Sequence, residues 1–183
     1  MMQKRSRFMV LMATGLLVTS ALTSTKTRAD NVPIKITGTI QIPPCEMNGG
    51  EVIVVDFKDV SVTDVANKNN LRKVVVPFRC HYSRGTAYVK LTGNQLGSHK
   101  NVLKTNVDYF GIALYQGEGT AIEMLLGNGK HSGQDSIGYP IQSGISGKGN
   151  GTFTFTAIPF KEMDKKLTAG AFTASANMSI SYF

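Results

Sequence analysis

The stretch GAFTASANMSISYF, residues 170–183, alternates without a break. Phe172, Ala174, Ala176, Met178, Ile180 and Tyr182 are apolar, and the residues between them are Thr173, Ser175, Asn177, Ser179 and Ser181. A period of two residues predicts a β-strand with one face for a core and one for solvent. Neither Pro nor Lys blunts it, so its edge is one that another segment must cover. The cover is expected either from an earlier part of this chain or from another chain, and the architecture turns on which.

Working outward, strand signals dominate. Val32 to Ile42 alternates, with Val32, Ile34, Ile36, Gly38, Ile40 and Ile42 on one face, until Pro43-Pro44 stops it. Strands are also predicted over 51–57 (EVIVVDF), 73–80 (KVVVPFRC), 86–92 (TAYVKLT), 109–116 (YFGIALYQ), 121–126 (AIEMLL) and 151–160 (GTFTFTAIPF), and weakly over 138–145. Glycine-rich turns such as Asn48-Gly49-Gly50 and Gly127-Asn128-Gly129 separate them. Short strands at this spacing predict an all-β sandwich of the immunoglobulin type. Helix is nearly absent from the pattern, apart from a turn near 67–72.

The amino-terminal 29 residues read as a secretory signal. Lys4, Arg5 and Arg7 precede an apolar run from Phe8 to Leu22, short for a membrane span, and Thr27-Arg28-Ala29 offers a cleavage site, with Ala21 an alternative. An uncleaved anchor is the competing reading. Five of the 20 Lys/Arg and none of the 12 Asp/Glu fall in this segment, so the remainder carries 15 basic residues and a net charge of +3. The basic character of the whole chain is therefore no argument for nucleic-acid binding, and no basic stripe with interleaved aromatics supplies one. The mature length suits one domain. The two cysteines, Cys45 and Cys80, in an exported chain predict a disulfide.

Few residues are spaced for chemistry. Gly144-Ile145-Ser146-Gly147 lacks the spacing of a nucleophile elbow, and Gly127-Asn128-Gly129-Lys130 that of a phosphate loop. His81, His99 and His131 have no ligand-like spacing. No enzyme, cofactor, metal or small-molecule substrate is expected. Two glycosylation sequons, at Asn150 and Asn177, read as chance.

Gly170 fourteenth from the end, the alternation after it, the penultimate Tyr182, the cysteine pair and the alternating arm together resemble a pilin subunit of chaperone–usher fimbriae. FGIALYQG (110–117), LLGNG (125–129), TFTFTAIPF (152–160) and GTIQIPPC (38–45) resemble the tip-adaptor minor pilins of P-type fimbriae. The resemblance implies an incomplete immunoglobulin-like sandwich, with six strands and the seventh supplied in trans, over 42–183, after a donor-strand extension over 30–41. It implies that Val32, Ile34, Ile36, Gly38 and Ile40 form the donor face. Pro33, outward but without an N–H, departs from the pattern and weakens the far end of that strand. It also implies that Gly170, Phe172, Ala174, Ala176, Met178, Ile180, Tyr182 and Phe183 form the acceptor groove and chaperone-binding strand, and that Cys45–Cys80 ties the first strand to the second. The implied partners are a periplasmic chaperone, an outer-membrane usher and neighbouring subunits including a tip adhesin. The implied route is export through the periplasm to a surface fimbria of a Gram-negative bacterium. A lectin-like adhesin, or a fibrillum or rod subunit at another position, is the alternative.

Overall fold

A computed structural model describes residues 32–131, 133–142 and 144–183. The expected signal segment lies outside them, as do the first two residues of the arm. The chain separates into two units between Thr39 and Ile40. Of the first, residues 32–39 are described; they form no strand and are exposed.

In the second unit, Ile40–Phe183, the described residues form twelve strands. They are β1 (Glu46–Met47), β2 (Arg72–Arg79), β3 (Ala87–Gly93), β4 (Gln95–Leu96), β5 (His99–Lys104) and β6 (Phe110–Gln116), followed by β7 (Ile122–Glu123), β8 (Lys130–His131), β9 (Gln134–Asp135), β10 (Tyr139–Pro140), β11 (Asn150–Lys161) and β12 (Ala176–Tyr182). Among the described residues the only helical turns are 3-10, at Asn48–Gly50 and Lys68–Asn70. Asn67 caps the second, its side chain accepting from the Asn69 N–H at 2.8 Å.

Six strands, β2, β3, β5, β6, β11 and β12, run to six residues or more and carry the fold. One sheet has the order β1-β2-β11-β6-β5-β4, with β7 on β6; a second has the order β10-β3-β12. All the pairs are antiparallel. β11 is central because its threonines and aromatics suit a pleated surface: Phe153, Phe155 and Ala157 turn inward while Thr154 pairs on the outer face with Val75. From β2, Val76 and Phe78 meet them; from the other sheet come Val89 and Leu91 of β3, and Ile180 and Tyr182 of β12. The resulting core lies between two layers, an immunoglobulin-like sandwich.

Several predicted strands end elsewhere. β5 was not expected, because HKNVLK has no clean alternation; Asn101 is nonetheless buried, its amide donating to the Leu114 carbonyl at 3.3 Å. The run 121–126 shrinks to β7, and 138–145 to β10. The EVIVVDF run forms no ladder, and the carboxy-terminal strand is paired only from Ala176. Its partner β3 ends at Gly93, so among the described residues no strand ladders onto residues 170–175.

Candidate functional site

The two unladdered segments, 51–57 and 170–175, border the same depression. The first keeps strand-like alternation: Val52 and Val54 are exposed, while Ile53, Val55 and Phe57 pack on the core. Arg72, at the start of β2, holds it from behind. Its Nε donates to the Asp56 carbonyl at 3.2 Å and its Nη2 to the Phe57 carbonyl at 3.1 Å, and its guanidinium lies 5.7 Å from the Phe57 ring centre. At the outer end of this wall Lys58 and Asp56 pair at 2.7 Å. The neighbouring ammonium holds the Asp56 carboxyl below its usual range, and the carboxylate raises the Lys58 ammonium. Both groups are exposed, so the pair contributes little to stability.

Between the walls lies an apolar cavity of about 430 Å³. Leu91, Leu103, Ile112, Leu114, Met124 and Phe155 line it from below, and Phe172, Ala174, Ala176 and Met178 from the second wall. A second cavity of about 600 Å³ continues past Phe57 and Phe172 towards Val62 and Gly170. Phe172 borders both. It is held edge-on to Phe110, with ring centres 4.8 Å apart, and 6.2 Å from Phe57.

The backbone of the second wall has a polarity. The N–H and C=O of one strand residue point to one side, and those of the next to the other. Phe183 exchanges both bonds with Thr86, at 3.1 and 2.8 Å, so odd-numbered residues face β3. Even-numbered residues face away. Ile180 does so visibly, its carbonyl accepting the Cys45 N–H at 2.7 Å. Among the described residues this bond, made just ahead of β1, is where the chain's own backbone meets that edge. Phe172, Ala174, Ala176 and Met178 thus direct their backbone polar groups to an open side above an apolar floor. Unpaired main-chain groups in a row are a template for another strand.

Of the residues singled out from sequence, Gly170, Phe172, Ala174, Ala176 and Met178 border the cavities. Ile180 and Tyr182 do not: both are wholly buried in the core. The Tyr182 hydroxyl lies 2.7 Å from each of the Ile145 and Lys148 carbonyls, and burial pushes its ionisation above the ordinary value. Phe183 stacks edge-on against Tyr88. Val32, Ile34, Ile36 and Ile40 are 79–101% exposed, and Gly38 has open space around it. Cys45 and Cys80 form a disulfide, as the sequence predicted. Arg72 and Asn106, whose contacts shape the walls, carry no sequence signal. Among the described residues no cluster of three His, Cys, Asp or Glu side chains could hold a metal.

A family profile described as "Fimbrial protein" matches residues 34–183. The chain belongs to the fimbrial protein family. This fimbrial protein is 39% identical over 169 residues to the fimbrial adapter PapF of Escherichia coli, spanning 92% of this chain and 97% of that one. The minor fimbrial protein PrsF of E. coli matches with the same identity and coverage. A solved structure of PapF, described as the P pilus adaptor subunit, matches with a TM-score of 0.54 and 34% identity, over 79% of this chain and all of the other. The P pilus rod subunit PapA matches at 0.53 and 19% identity, over 77% of this chain and all of that one, a likeness of fold. The resemblance read from the terminal alternation and the segments at 110–117, 125–129 and 152–160 is borne out.

Proposed function

We propose that this fimbrial protein is a structural minor subunit that joins a tip adhesin to its fibre by exchanging β-strands, without enzymatic chemistry. The open edge at Phe172–Met178, set over an apolar cavity, carries the reading. An alternating strand laid there pairs its backbone with the even-numbered residues and drops side chains onto Leu103, Ile112 and Leu114. Main-chain bonds would supply affinity and the pockets specificity. A periplasmic chaperone fills the groove first, and at an outer-membrane usher the arm of the next subunit replaces it.

The arm is the complementary half. Val32, Ile34, Ile36, Gly38 and Ile40 share one face, and nine residues span about 30 Å when extended. Exposed isoleucines on an unpaired segment are costly in water and gain by burial in a neighbour. The 39% identity to an adapter and to a minor fimbrial protein favours the adaptor position over a rod position.

Deleting residues 30–40 tests the assignment. The shortened subunit is expected to bind its chaperone normally and to fail to dock onto the subunit ahead of it. Normal docking by the truncated chain would refute the donor role of the arm.

A further inference from the structure

The rim of the groove at Ala171–Thr173 lies beyond the end of β3, so no strand backs it. A single residue in the turn after β5 takes the place of one. The Asn106 N–H donates to the Thr173 carbonyl at 3.2 Å, and its side-chain oxygen accepts the Thr173 N–H at 2.7 Å. Its side-chain amide donates to the Ala171 carbonyl at 3.2 Å. These three bonds occupy the odd-numbered, inward-facing groups, the same set that β3 occupies further along. The even-numbered groups stay free.

We propose that Asn106 is the positioning residue of the strand-acceptor site: by imitating a ladder strand it keeps 171–173 extended, holding Phe172 against Phe110 and the groove open. The inference rests on the strand-acceptance reading above. An apolar groove in water is driven to close on itself, and Phe172, bordering both cavities, is the side chain that would fill it. The main-chain bond survives any substitution except proline, so the side chain's share can be isolated. Asn106→Ala removes both side-chain bonds. Asn106→Asp keeps an acceptor for the Thr173 N–H and loses the donor to Ala171.

The test uses the mature chain co-purified with its periplasmic chaperone. It is mixed with labelled synthetic peptides of residues 30–42 of this chain and of the amino-terminal segments of subunits encoded beside it, and uptake is followed by anisotropy. Two ordinary hydrogen bonds correspond to about a tenfold effect. Asn106→Ala is therefore expected to take up peptide about tenfold more slowly, with Asn106→Asp between it and the parent. The unfolding midpoint of the peptide-filled complexes should hardly change, because the incoming strand then braces the rim itself. Unchanged uptake in Asn106→Ala overturns the positioning role, as does a midpoint that falls in step with the rate, which marks ordinary structural loss. If the parent takes up none of the peptides, the strand-acceptance reading itself fails.

Discussion

Ile36 offers the sharpest separation between assembly and folding. It is 90% exposed and belongs to the unit Met1–Thr39, apart from the body's own core residues. Inserted into a neighbour's groove, the same side chain is expected to lose its contact with water. Ile36→Ala removes three carbons, at about 0.8 kcal/mol per buried carbon, or about 2.4 kcal/mol of docking free energy. A factor of ten per 1.4 kcal/mol makes that roughly fiftyfold in affinity or retention. The assay mixes chaperone-held variant and parent with the subunit ahead and quantifies the joined species by size exclusion. Thermal unfolding of each chaperone complex is measured in parallel. The expected result is a large docking defect, an unchanged unfolding midpoint, and parent-like docking for Thr37→Ala, which alters the opposite face. Parent-like docking by Ile36→Ala would refute the argument, as would a loss of stability in the body.

Other expectations concern the body. Breaking Cys45–Cys80, which closes a separation of 35 residues, by a Cys45→Ser/Cys80→Ser pair should cost about 3–4 kcal/mol, read as a lower denaturant midpoint that reductant no longer shifts. Gly138→Ala should be severe and Gly133→Ala mild. Both glycines have positive φ, +91° and +76°, but a Cβ at 138 would overlap the Val89 carbonyl whereas nothing lies within 4 Å at 133; soluble yield and unfolding midpoints will rank them. Tyr182→Phe removes the bond to the 145–148 loop, at about 1–2 kcal/mol. The folded state also holds the phenol proton to higher pH than the unfolded chain, which titrates near 10. Stability is therefore full below pH 10 and falls as pH rises past it; stability measured against pH should show that added alkaline slope in the parent and lack it in Tyr182→Phe.

Alternation in the sequence revealed which residues face inward only where polar and apolar residues take turns. EVIVVDF is apolar almost throughout, and it is the packed chain that turns Ile53, Val55 and Phe57 to the core and leaves Val52 and Val54 exposed, in a segment that forms no ladder. A period of two records burial, whereas a ladder needs a neighbour at the right distance. The same distinction splits the terminal strand: Ile180 and Tyr182 are core, and Phe172 to Met178 border the groove, although all share one pattern. What separates them is where β3 stops and where Cys45 reaches the edge, facts of the packed chain. β5 shows no alternation in sequence because its inward residues include the polar Asn101. Arg72 and Asn106 are lone polar residues outside any periodic run, and only the backbone groups they meet give them meaning.

The position of Cys45 has a mechanical consequence. Its N–H grips Ile180 in one sheet, the next two residues ladder onto β2 in the other, and its sulfur is bonded to Cys80 just past β2. A pull on the preceding segment reaches this residue before any long strand. The covalent link then diverts the tension into β2 and the broad β11 pairing behind it, so the two-residue ladder at Glu46–Met47 need not resist alone. Shearing a long strand pair is harder than peeling a short one. A pull entering at Cys45 is thus borne by the eight-pair β2–β11 ladder as well as by the two pairs at Glu46–Met47.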